Sequence, residues 1–120
     1  MFYRRISIAL LTAASLMTGV ASAEMKPEKQ IDTRQAGYTF MSWNMGKIKS
    51  NLSGDYNAAQ VQAAAAAIAG IANSGMGALY GPGTERSIGD VKTRVKPELF
   101  TDRQGVGEVA QAFIKAATNL

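Results

Sequence analysis

Steps of three and four residues connect Ile31, Arg34, Tyr38, Met41, Met45, Ile48 and Leu52, and all but Arg34 are apolar or aromatic. A stripe with this period predicts a long helix packed at a shallow angle against its neighbours. Pro27 suits the first helical turn, where a missing N–H costs nothing, and Gly54 marks the end. A second helix is expected from Asn57, with Gln60 three residues on as a capping box. Its inner face reads Val61, Ala64, Ala65, Ile68, Ile71, Ala72, Gly75, Met76 and Leu79. The small side chains of Ala63–Ala67 let a neighbouring backbone, or a flat ligand, approach closely. A third helix is expected from Thr101, capped with Gln104, along a seam of Val106, Val109, Phe113, Ala116 and Leu120.

Between the second and third helices, Tyr80 to Phe100 reads as a long loop opened by Gly81-Pro82-Gly83. Its alternating Lys92, Arg94 and Lys96 fit a solvated stretch, and its length fits a lid or a pocket wall. Nothing after Leu120 stops the third seam: there is no glycine, proline or basic last turn. Antiparallel bundles bury such seams best with four helices. The pattern therefore predicts an all-α chain, an antiparallel up-down four-helix bundle of which the first three helices are present.

The beginning of the chain follows different rules. Arg4 and Arg5 precede an uncharged apolar run, Ile6 to Val20, and Ala21-Ser22-Ala23 follows. This is the layout of a signal peptide cleaved after Ala23. The run is short for a membrane span, which needs ~20 residues. Residues 24–120 are then the mature domain, exported to the periplasm and without a membrane anchor.

Charge and composition narrow the chemistry. Without Arg4 and Arg5, eleven basic residues face nine acidic ones, a balance of +2 that argues against a nucleic-acid partner. The 120 residues contain no cysteine and no histidine. The usual zinc and copper ligands and the common nucleophile–base pairs are missing, so no catalytic residues are assigned and the chain does not read as an enzyme. Arg34 is the odd member of its stripe, because a charge on a buried seam needs a partner.

Four ordered motifs resemble one family, the cytochromes c-prime (class II c-type cytochromes): Arg34-Gln35-Ala36-Gly37-Tyr38; Gly46-Lys47-Ile48 running on to Gly54 and Tyr56-Asn57-Ala58-Ala59-Gln60-Val61; Tyr80-Gly81-Pro82-Gly83-Thr84-Glu85; and Lys96-Pro97-Glu98-Leu99-Phe100-Thr101-Asp102. The resemblance implies a four-helix bundle holding haem c, attached through a Cys-x-x-Cys-His motif that these 120 residues do not contain. It puts Arg34 and Gln35 beside a haem propionate and Tyr38 over the iron, with Thr93 and Phe100 at the haem edge. A tyrosine in the distal position implies a five-coordinate iron suited to small gases such as nitric oxide. Met41 and Met45 are alternative axial candidates, although methionines on a helical seam usually belong to the core. Electron transfer with an unidentified redox partner protein is the other implied task. Family members pair through their first two helices, which makes the outer strip of Phe40, Trp43 and Lys47 a candidate homodimer surface. The rival reading is a haem-free periplasmic helical module that completes its bundle by self-association or with a partner.

Overall fold

A computed structural model describes residues 25–120; the expected signal peptide and its cleavage point lie outside the described residues. Helix α1 spans Pro27–Ser53, α2 spans Ala58–Ala72, a 3-10 turn covers Met76–Leu79, α3 is a single turn over Glu98–Thr101, and α4 spans Arg103–Thr118. Among the described residues no strand forms. The nearest approach is a two-residue hairpin in which Ile88 and Val91 exchange hydrogen bonds of 2.9 Å. The all-α expectation holds, and the three long helices match the three expected.

The face that α1 buries is not quite the stripe read from the sequence. Ile31, Arg34, Met41, Asn44 and Asn51 are buried, whereas Tyr38, Met45 and Leu52 are exposed. The column Arg34, Met41 and Ile48 stays turned inward, but its companion column is Gly37, Asn44 and Asn51, one residue before Tyr38, Met45 and Leu52, so the buried face carries two asparagines. Their amides tolerate burial because each is satisfied locally. Asn44 Nδ2 donates to Phe40 O at 2.9 Å, and Asn51 Nδ2 donates to Lys47 O at 2.9 Å.

Asn51 also builds the turn into α2. Its Nδ2 donates to Gln60 Oε1 at 2.6 Å, and its Oδ1 accepts from Asn57 N at 2.6 Å. Asn57 caps α2 as expected, accepting from Gln60 N at 3.1 Å. The reciprocal half of the capping box is absent, because Asn51 takes the place of the Gln60 side chain. The alanine-rich face of α2 then lies against α1, with Ala64 and Ile68 buried. Small side chains here serve close helix packing.

Helix α2 stops at Ala72, well short of the expected Leu79. Asn73 ends it through its backbone N–H and a side-chain bond to Ala69 O of 2.8 Å. Gly75 then turns the chain at φ 82°, a conformation that favours glycine, before the 3-10 turn. Helix α4 is capped by Asp102, not Thr101: the carboxylate accepts from Gly105 N at 2.9 Å, and Thr101 closes α3 instead. The seam of α4 is also shifted. Ala117 is the buried residue and joins Met41, Ile68 and Ala72 in the core, while Val109, Phe113, Ala116 and Leu120 stay exposed. Helix α4 packs on α2 towards its C-terminal end, where Asn73 Nδ2 donates to Thr118 Oγ1 at 3.1 Å and Ala117 joins Ala72 in the core. Val106, Val109 and Phe113 of α4 border a cleft.

Replacing Asn51 with alanine removes three bonds and strands the Asn57 N–H. Unfolding in urea should show a loss of about 2 kcal/mol, whereas Ser53→Ala at the exposed end of the same helix should cost less than about 0.5 kcal/mol.

Candidate functional site

The cleft is bounded by the 3-10 turn, the start of the loop, α3 and the outer side of α4. It encloses about 1370 Å³, and its wall includes Tyr38, Tyr80, Phe100, Val106, Val109 and Phe113. Of the α4 seam expected from the sequence, Val106, Val109 and Phe113 face this cleft, while Ala116 and Leu120 lie outside it.

Arg34 organises the side of the cleft nearest α1. Only 3% of it is exposed. Its Nη1 donates to Leu79 O at 3.0 Å and to Thr84 Oγ1 at 2.9 Å, while Nη2 donates to Thr84 O at 2.8 Å and to Thr93 Oγ1 at 3.1 Å. The planar guanidinium also lies over the Tyr80 ring, 4.3 Å from its centroid. Thr84, wholly buried, turns its hydroxyl back to Gly81 O at 2.9 Å. One cation therefore ties both limbs of the loop to α1. Gln35, on the next residue, adds a bond from Nε2 to Lys92 O of 2.6 Å. Lys92, Arg94 and Lys96 remain exposed while Thr93 and Val95 turn inward, so the basic stretch is solvated on one side only.

Tyr80 carries this framework to the cleft. Its hydroxyl lies 3.2 Å from that of Tyr38, and its ring lies 6.4 Å from that of Phe100 in a tilted arrangement. Burial, and then the bond with Tyr38, push the Tyr80 phenol up to about 12; the Arg34 charge pulls weakly the other way. Of the residues singled out in the sequence, Tyr38 and Phe100 face the cleft. Arg34, Gln35 and Thr93 stand behind its wall and hold the loop. Met41 is core and Met45 is exposed. Tyr80 and Thr84 were read only as parts of a loop motif. The available signal was the unsatisfied charge of Arg34, which required acceptors and a π face from somewhere in the chain.

The comparisons with known proteins agree with one another. The family model described as Cytochrome C' matches residues 29–120. The cytochrome c' of Allochromatium vinosum is 65% identical over 114 residues, covering 91% of this chain and 74% of the relative. The cytochrome c' of Rhodocyclus tenuis is 49% identical over 96 residues, covering 79% of this chain and 72% of the relative. The chain belongs to the cytochrome c' family. Among solved structures, a cytochrome c' with ligand-controlled dimer dissociation aligns with a TM-score of 0.78 and 68% identity, over 79% of this chain and 72% of that one. The cytochrome c' from Thermochromatium tepidum aligns with a TM-score of 0.76 and 64% identity, with the same coverage.

Cytochromes c' bind haem c, and the residues of this chain fit that group on one side. The cleft is lined by aromatic and aliphatic side chains, as a porphyrin face requires. The attachment chemistry does not fit: residues 1–120 supply neither the two thiols nor the imidazole. Among the described residues no group of three or more His, Cys, Asp or Glu side chains is placed to hold a metal.

Arg34→Leu should cost about 3 kcal/mol, because four loop acceptors lose their donor. Arg34→Lys should recover only part of this, since an ammonium cannot reproduce the planar fork. Urea unfolding gives the loss, and faster amide exchange at Thr84 locates it. The raised Tyr80 phenol adds an alkaline dependence. The unfolded state releases this proton near pH 10 and the folded state near 12, so stability falls as pH rises between them. Tyr80→Phe should flatten that part of the stability–pH curve.

Proposed function

We propose that the chain forms the distal and edge walls of a haem site in an exported, periplasmic cytochrome c' that carries electrons or binds small gases such as nitric oxide. The observation that carries this reading is the open apolar cleft with Tyr38, Tyr80 and Phe100 on its wall, in a chain of this family. Bound haem would supply the redox and gas-binding chemistry, and the protein's share is binding, orientation and exclusion. Tyr38 crowds the face where a distal ligand would approach, and Phe100, Val109 and Phe113 supply apolar contact. Among the described residues every partner of the Arg34 guanidinium is neutral, so an acidic propionate at the nearby edge would find a fixed positive charge behind the wall. Gln35 and Thr93 support that edge by holding the loop.

The strip of Phe40 and Trp43 supports a homodimer through α1. Both rings are exposed and lie 5.4 Å apart, and Lys47 Nζ sits 3.9 Å from the Trp43 centroid. A large aromatic surface of this kind is what interface centres use. The exposed Leu52, Val109 and Leu120 support a second reading, a haem-free module that completes its bundle by association.

Haemin titration in the presence of imidazole, which stands in for the missing proximal base, separates the two. Saturable binding with a Soret band is expected, and acid-acetone should extract the pigment, because residues 1–120 hold no cysteine to form a thioether. Val109 is 71% exposed, so Val109→Asp should leave the fold intact. It should weaken haemin binding by tenfold or more, about 1.4 kcal/mol. Equal affinity in the two proteins would remove the cleft from the site, and a colourless, well-folded oligomer would favour the second reading.

A further inference from the structure

Three residues on successive turns of α1 grip the start of the loop in order. Gln30 Oε1 accepts from Gly81 N at 2.9 Å, Arg34 Nη1 donates to Leu79 O at 3.0 Å, and Tyr38 meets Tyr80 hydroxyl to hydroxyl at 3.2 Å. Gln30, Arg34 and Tyr38 follow one another at i, i+4 and i+8, so they share one face of the helix. The backbone of Tyr80 is thus pinned to α1 through both of its sequence neighbours. Its ring is fixed between the Arg34 guanidinium and Phe100. Tyr38 is the opposite case. It stands 46% exposed on α1, and its contact with Tyr80 is the one side-chain hydrogen bond it makes among the described residues.

An exposed phenol with one bond takes its position from the partner that makes that bond. We propose that Tyr80 is a positioning residue whose hydroxyl holds the Tyr38 phenol at the wall of the cleft, forming a latch that a ligand entering beneath Tyr38 must release. The consequence for ligand entry rests on the haem reading above; the pairing itself does not. The latch also joins Tyr38 to the Arg34 clamp, because the same ring that carries the Tyr80 hydroxyl lies under the guanidinium. Displacement of Tyr38 would therefore free the end of a framework that runs back to Thr84 and Thr93.

The test uses the full chain labelled with ¹³C at the tyrosine Cζ. Tyr80→Phe keeps the ring on Arg34 and Phe100 and removes only the hydroxyl. The Tyr38 Cζ resonance should shift and its ring should reorient more freely, whereas Tyr56→Phe, at an exposed tyrosine, should leave it unmoved. Tyr38→Phe should shift the Tyr80 resonance in turn, which guards against a fold defect particular to the first variant. Unmoved resonances in both variants, with native circular dichroism, would overturn the pairing. In haem-loaded protein, carbon monoxide should associate several-fold faster with Tyr80→Phe than with wild type. Equal rates would overturn the gating role even if the resonances shift. A preparation that takes up no haem would defeat the haem reading alone, and the resonances would still decide the pairing.

Discussion

The position of the loop in this chain depends on the burial of one charge. Arg34 sits on a helix face that would ordinarily be apolar, and an unpaired guanidinium there would cost several kcal/mol. Its solvation has to come from the chain itself. Four acceptor contacts and one aromatic face supply it, and all of them lie in residues 79–93. The loop cannot leave α1 without stranding the charge, and the charge cannot be buried without the loop. This mutual requirement gives order to a connection long enough to wander.

The geometry of the cleft follows from that constraint. With the loop fixed on α1, the chain runs on into α3 and the Asp102 cap of α4. Helix α4 packs on α2 towards its C-terminal end, where Ala117 and Thr118 meet Ala72 and Asn73. The gap between is bounded by the pinned loop on one side and the apolar stripe of α4 on the other. Rigid polar bonds lie behind the wall, and apolar and aromatic groups line its surface. The cleft thus separates a preorganised polar support from an apolar contact surface, the arrangement usual in ligand pockets.

Much of this was legible in the sequence, and the departures have specific causes. The seams gave the three long helices, Pro27 and Asn57 gave two helix starts, and Arg34 stood out because its charge conflicted with its place. The stripe on α1 failed at Met45 and Leu52 because the inward companion of the Arg34, Met41 and Ile48 column is Gly37, Asn44 and Asn51, which a search for apolar residues passes over. Burial of asparagine is readable only once its partners are known. Helix α2 was drawn too long because apolar spacing continues through Met76 and Leu79, while the stop signal, Asn73 followed by Gly75, has less weight in a periodicity count. Thr101 and Asp102 were both capable caps, and the carboxylate prevailed. Tyr38 and Phe100 line the cleft, and Tyr80 was invisible as a contributor because its contacts are with residues 34 and 38, more than forty positions away.

The neutrality of the Arg34 partners has an electrostatic consequence. A carboxylate in the loop would have neutralised the guanidinium more simply than two carbonyls, two hydroxyl-bearing threonines and a phenol ring. Such a pair would also have closed off the field of the charge, since a compact ion pair has little potential beyond its own contact. Dipolar partners solvate the cation without cancelling it. A fixed positive charge therefore lies behind an apolar and aromatic surface, with the Tyr80 ring against the guanidinium and on the cleft wall. An anionic edge docked against such a wall gains attraction without exposing the cation to water, because the loop that solvates Arg34 also excludes solvent from it.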